Sequence, residues 1–182
     1  FLRQIRTDKQ LILIVDDSHG IGVNNQGLGA YTQLPKQKNI ELVVVASMAK
    51  ALGVDAGLVP GSGKIIAELK NTNIFPGASP PAAAGLYAFI KAKDIYAEAL
   101  EKLNQNISLL SNGLDTSWEY IPGFPAFLTH NPKAGEALLD QHILISSFPY
   151  PDKNSQPINR IVLSSWHDPT DIEKLISAVK DF

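Results

Sequence analysis

Two apolar runs constrain this chain more than anything else in it: "LILIVDD" at residues 11–17 and "IELVVVAS" at 40–47. A strand with one wet face alternates polar and apolar residues. Runs rich in β-branched residues without that alternation are the pattern of strands covered on both faces, as in the parallel sheets of α/β folds. A third, weaker strand is expected in "AGLVPGS", 56–62. After "PGASPP", the spacing of Ala82, Leu86, Phe89, Ile90, Ala97, Leu100, Leu103 and Ile107 predicts one long helix from 81 to about 112, closed by Asn112-Gly113. The texture then changes to short strands in "EYIPGFPAFLTH", "HILISSF" and "NRIVLSSW". One helix is expected near Lys133–Asp140 and a last one near Pro169–Lys180, capped by Asp168 or Thr170. The expected organisation is an α/β unit over 1–112 followed by a small α+β domain over 113–182.

A chain of 182 residues can bury a real core. Sixteen Lys and Arg against eighteen Asp and Glu give a net charge of −2, with no basic run to grip a phosphate backbone, so nucleic acid is not expected as a partner. The absence of cysteine excludes a disulfide framework and thiolate metal sites, and fits a reducing, cytoplasmic setting. The apolar runs are too short to span a bilayer, and "FLRQIRTDKQ" lacks the apolar centre of a signal peptide, so no membrane partner is expected. Phe1 rather than methionine opens the chain, and a strand follows almost at once. The sequence is therefore expected to begin inside a longer protein. "NIS" at Asn106 formally fits a glycosylation acceptor but carries no weight without a secretory signal.

The glycine-rich stretches invite phosphate-binding readings and fail them. "GIGVNN" lacks the third glycine of a dinucleotide fingerprint, and no helical pattern opens after it. "GSGKI" at 61–65 has Leu58 where a phosphate loop needs its first glycine and Ile65 where it needs a hydroxyl for magnesium. The histidines at 19, 130, 142 and 167 have no ligand-pair spacing, so no metal site is expected.

The strand ends carry the chemistry. Asp16 stands at the C-terminal end of the first buried strand, where open α/β sheets bind ligands, and His19 follows on the same turn. The second strand ends in "ASMAKALG", with Ser47 and Lys50. If both strands lie in one parallel sheet, a carboxylate, an imidazole, a hydroxyl and an amine converge on one crevice. Pyridoxal phosphate needs such a set. A lysine forms a Schiff base with its aldehyde, and a carboxylate facing the pyridinium nitrogen keeps the ring protonated as an electron sink. The residues alone leave two blander readings open: Asp16 as a turn or cap residue, and Lys50 as the solvated start of a helix.

Four stretches, in order, resemble one known family: pyridoxal-phosphate enzymes of aminotransferase fold type I, and within them the α-oxoamine synthases, which include 8-amino-7-oxononanoate synthase and 2-amino-3-ketobutyrate CoA ligase. "DDSHGIGVNNQGLG" resembles D-E-A-H-x-x-G-x-x-G-x-x-G-x-G with one residue missing before Gly27. "SMAKALG" resembles T-x-x-K-A-x-G, "FPGASPP" resembles F-S-T-S-x-P-P, and "RIVLSSWHDPTDI" resembles R-I-x-L-S-x-x-H-T-x-x-D-I. The resemblance implies the C-terminal part of a fold type I large domain, cofactor-binding and mainly parallel, followed by the small C-terminal domain. It implies that Lys50 carries pyridoxal 5'-phosphate, Asp16 pairs with the pyridine nitrogen, His19 contacts the phenolic oxygen and Ser47 lies near the phosphate. The implied activity is acyl transfer: an amino acid condenses with an acyl-CoA and loses carbon dioxide, as in biotin biosynthesis. The implied assembly is a homodimer.

Departures from the pattern qualify the match. "ISSFPYP" resembles I-R-P-P-T-V-P, with Ser146 in place of the arginine that binds the substrate carboxylate. Pro76, Gly77 and Ala78 replace hydroxyl residues that reach a partner subunit's phosphate. Nothing in the chain resembles the family's N-terminal half. Two alternatives follow: another fold type I enzyme, such as an aminotransferase or lyase, or a fragmentary scaffold without activity.

Overall fold

A computed structural model describes residues 8–180. Phe1, where the sequence suggests a start inside a longer protein, lies outside them. The chain divides into two compact units between Tyr96 and Ala97.

The first unit is built on the strands β1 (Leu11–Asp16), β2 (Ile40–Ser47) and β3 (Gly57–Leu58), in the order β1-β2-β3. The two apolar runs pair in parallel, Leu11 opposite Ile40 through to Asp16 opposite Val45. Both strands therefore deliver their C-terminal ends to the same edge. The third strand is shorter than its apolar stretch suggested. It runs antiparallel to β2, with Ala46 opposite Leu58 and Ser47 opposite Gly57.

Burial is uneven. On β2, Val43, Val44 and Ala46 are buried, whereas on β1 Ile12 and Ile14 are 62% and 66% exposed. The expectation of cover on both faces thus holds for the middle of β2 and fails for β1, one face of which stays bare.

Four helices follow: α1 (Gly63–Lys70), α2 (Ile74–Gly77), α3 (Ala83–Lys91) and α4 (Lys93–Gly113). The serine of "GSGKI" caps α1, its Oγ accepting the Ile65 N–H at 3.3 Å. Pro76 and Gly77 fall in α2, with Ala78 as its C-cap. The single helix expected from 81 to 112 is two helices. Ala92, at φ −93° and ψ 24°, interrupts it, and its N–H closes the end of α3 on the carbonyls of Ala88 and Phe89.

The second unit contains most of α4 and a four-stranded antiparallel sheet. The strands are β4 (Glu119–Tyr120), β5 (Ala126–Thr129), β6 (Ser146–Pro149) and β7 (Pro157–Val162), ordered β4-β5-β7-β6. Its helices α5 (Ala134–Asp140) and α6 (Pro169–Val179) lie near the expected places. Leu110, Phe127, Leu138 and Ile172 form its most deeply buried apolar core. Asp168 is the N-cap of α6, and its N–H donates to Asp171 Oδ2 at 2.9 Å. Asn106 is buried, and its amide donates to the carbonyls of Ser164 and His167 at 3.1 and 2.9 Å, so its role is structural. The division at Tyr96 assigns most of α4 to the second unit; the change of sequence texture near 112 falls where that helix ends.

Candidate functional site

Because β1 and β2 are parallel, the loops after Asp16 and after Ser47 leave the sheet side by side. Their last shared backbone bond joins the Asp17 N–H to the Val45 carbonyl at 2.8 Å. Beyond it Ser18 takes over: its hydroxyl oxygen accepts the Ser47 N–H at 3.0 Å, and its own N–H donates to Asp16 Oδ1 at 2.9 Å.

Asp16 ends β1, and His19 and Lys50 stand on the loops that leave β1 and β2 at that edge of the sheet. The Asp16 carboxyl is held below the ordinary value of 3.8, first by hydrogen bonds from the Ser18 side chain and backbone, against the opposing effect of desolvation. The Lys50 ammonium and the His19 imidazole lower it further. All three side chains are exposed, and Lys50 makes no ion pair within 4 Å among the described residues. Lys50 stands on a turn after β2 rather than at the start of a helix. Ser47 is half-buried, and its Oγ accepts the Ala49 N–H at 3.4 Å, which leaves the hydroxyl proton to donate elsewhere.

The glycine-rich loop packs directly against the lysine turn. Gly22, at φ +80°, would place a Cβ 2.8 Å from Leu52 Cδ2 and 3.1 Å from Ala51 Cβ. Only a residue without a side chain allows that approach. Asn25 and Gln26, at φ 52° and 55°, are also left-handed, so the loop holds two non-glycine residues in a costly conformation. Asn25 recovers part of that cost by donating to the Gly29 carbonyl and to Thr32 Oγ1.

Three contributors escape sequence reasoning. Asp17 is 8% exposed, and its Oδ2 accepts the Ala30 N–H at 2.7 Å, so it folds the loop back beside Asp16. Ser18 joins the two strand ends. Tyr96 donates its hydroxyl to the Leu52 carbonyl at 2.7 Å and stacks edge-on against Phe89, which anchors the turn after Lys50 from α4. The one available signal is the density of glycines after Asp17, since close backbone approach to a buried carboxylate demands it.

In the second unit Ser146 opens β6, and its cross-strand neighbour is Arg160 on β7. The Arg160 Nε is buried without a hydrogen-bond partner, and its guanidinium carbon lies 5.8 Å from the centre of the Phe148 ring.

Comparison with known proteins decides the family. Residues 1–179 match aminotransferase class I and II. The chain belongs to that family. Among curated relatives, the 8-amino-7-oxononanoate synthase of Thiobacillus denitrificans is 27% identical over 183 residues, which cover 93% of this chain and 47% of that protein. The crystal structure of 8-amino-7-oxononanoate synthase from Francisella tularensis shares the fold with a TM-score of 0.70 at 24% identity, covering 93% of this chain and 54% of that one. A serine palmitoyltransferase from S. paucimobilis with PLP bound gives a TM-score of 0.73 at 20% identity, over 93% and 46% of the two chains. The fold is therefore that of the C-terminal part of these family members, and the chain spans about half the length of the curated relatives it matches.

Proposed function

We propose that the protein is a pyridoxal-phosphate-dependent acyltransferase that condenses an amino acid with an acyl-CoA, releasing carbon dioxide and CoA, in the manner of 8-amino-7-oxononanoate synthase. The observation that carries the reading is the parallel pairing of β1 and β2, which delivers Asp16 and the loops bearing His19 and Lys50 to one edge of the sheet. It is supported by the names of the relatives, one of which is a structure with PLP bound.

The donor set fits the cofactor. Lys50 offers an exposed amine without an ion-pair partner among the described residues, and Asp16 offers a carboxylate whose neighbours keep it ionised. When bound, pyridoxal phosphate supplies a ring that accepts the electron pair left at the substrate Cα. Asp16 would hold the proton on the ring nitrogen by charge pairing, His19 would donate to the phenolic oxygen, and Ser47 would donate its hydroxyl proton to a phosphate oxygen. Lys50 would hold the cofactor by its aldehyde, and its amine would move the proton at the substrate Cα. The open face of β1, at Ile12 and Ile14, supports a homodimer in which further polypeptide covers it. No described helix is long and apolar enough to cross a membrane, and the reading places the reaction in the cytoplasm.

Borohydride reduction of the cofactor-loaded protein, followed by peptide mapping, tests the site: the label belongs on the peptide containing Lys50, and Lys50→Ala removes it. Label on another lysine refutes the assignment. Ser146 in place of a carboxylate-binding arginine leaves a second reading open, transamination or side-chain cleavage. CoA and carbon dioxide released together on adding an amino acid with an acyl-CoA exclude it.

A further inference from the structure

Ser18 is fixed by two contacts. Its N–H donates to Asp16 Oδ1 at 2.9 Å, and its Oγ accepts the Ser47 N–H at 3.0 Å. Ser18 is thus a relay between an acidic group on one strand and a backbone donor on the next, its N–H serving the first and its hydroxyl the second. The Ser18 side chain also acts to lower the pKa of the Asp16 carboxyl. The related pattern D-E-A-H carries alanine here, so the relay depends on this chain's own serine.

We propose that Ser18 is a positioning residue of the site, which holds the Asp16 carboxylate through its N–H and the start of the Ser47–Lys50 turn through its hydroxyl, and so keeps the two in fixed relation. The place of the relay in the fold supports this. The β1–β2 ladder ends with Asp17 and Val45, and the Ser18 bridge carries the coupling one residue further, into the loops that bear His19 and Lys50. Asp17 does not compete for the role, because its carboxylate turns into the loop toward Gly20, Gly29 and Ala30. The charged groups that face Asp16 are Lys50 from the turn after β2 and His19 from its own loop. Neither can replace the hydroxyl as a bridge to the Ser47 backbone.

The role of Ser18 toward cofactor rests on the function proposed above, and the test separates the two. In the intact protein without cofactor, the Asp16 carboxylate is titrated by carbon NMR in the wild type, Ser18→Ala and Ser18→Thr. The titration of Asp16 moves upward in Ser18→Ala and returns toward the wild-type position in Ser18→Thr, which keeps the hydroxyl. An unchanged titration in Ser18→Ala overturns the proposal, and so does a shift that threonine fails to reverse, because packing rather than the hydroxyl then explains it. With pyridoxal phosphate added, Ser18→Ala raises the dissociation constant about twofold to tenfold, the range of one net hydrogen bond, while borohydride still labels Lys50. Full-strength cofactor binding by Ser18→Ala also overturns the proposal. Absence of any Lys50 label in the wild type refutes the cofactor reading and leaves the NMR result to decide the relay.

Discussion

Gly29→Ala is the sharpest test of how the loop beside the site is held. Gly29 has φ +70°, and a Cβ added there would lie 2.2 Å from Asp17 Oδ2, the oxygen that accepts the Ala30 N–H at 2.7 Å. Two costs follow. An L-residue in the left-handed region costs roughly 1–2 kcal/mol. The carboxylate must also move, and a hydrogen bond to a charged, mostly buried group contributes about 1.5–3 kcal/mol. The expected loss is therefore about 2.5–5 kcal/mol, a large share of a typical stability of about 5–15 kcal/mol.

Gly53→Ala supplies the control. Gly53 is also left-handed, at φ +62°, but a Cβ there meets nothing within 4 Å, so only the backbone cost of about 1–2 kcal/mol applies. Urea unfolding followed by circular dichroism, with the slope checked for constancy, measures both. The difference between the two variants isolates the contact with Asp17. An Asp17→Ala background should shrink the Gly29→Ala penalty toward that of Gly53→Ala, a coupling of order 1 kcal/mol or more. Equal losses at Gly29 and Gly53, or a penalty unaffected by removing Asp17, would refute the reasoning.

Asp16→Asn leaves the fold intact but slows turnover by on the order of 100-fold or more, about 3 kcal/mol of barrier, because the ring nitrogen loses its charge partner; unchanged kcat would count against that role. Gln26→Gly, at φ 55° on an exposed turn, gains about 0.5–1 kcal/mol in the same urea assay, and a loss would show that the left-handed conformation is not strained there. Asp115 is held below its ordinary 3.8 by hydrogen bonds from the Ser117 side chain and backbone. Its contribution to stability is present above the unfolded value and is lost as pH falls through the lower folded value. Asp115→Asn should therefore be less stable than wild type near neutrality, and the gap should close below pH 3.8; a gap that persists there points elsewhere. Replacing Ile12 and Ile14 together by serine should weaken self-association in sedimentation, whereas an unchanged mass would remove the open β1 face from the interface.

The two parallel strands were legible because a continuous β-branched run is a property of the run itself. The places of Asp16 and Lys50, at and just after strand ends, were legible because the end of such a strand is a recognisable address. What stayed hidden depends on contacts remote in sequence. Ser18 and Ser47 are 29 residues apart, and Tyr96 and Leu52 are 44 apart, so no local pattern announces either bond. The break at Ala92 was hidden for the opposite reason. Alanine has the highest helix propensity, and the apolar spacing continues across it, so only the backbone shows where α3 stops.

The bare face of β1 joins these two cases. A run such as "LILIV" records how much cover a strand has in the working protein, but not which residues supply it. Ile12 and Ile14 are as apolar as Val43 and Val44, yet the first pair is exposed and the second buried. The composition of β1 thus matches a covered strand, while its surroundings among the described residues match an edge that lacks its layer. A strand selected for exposure would carry charged or polar residues on that face to prevent edge and face association. The mismatch between pattern and exposure is what the proposed homodimer would relieve, and it makes the double replacement of Ile12 and Ile14 informative.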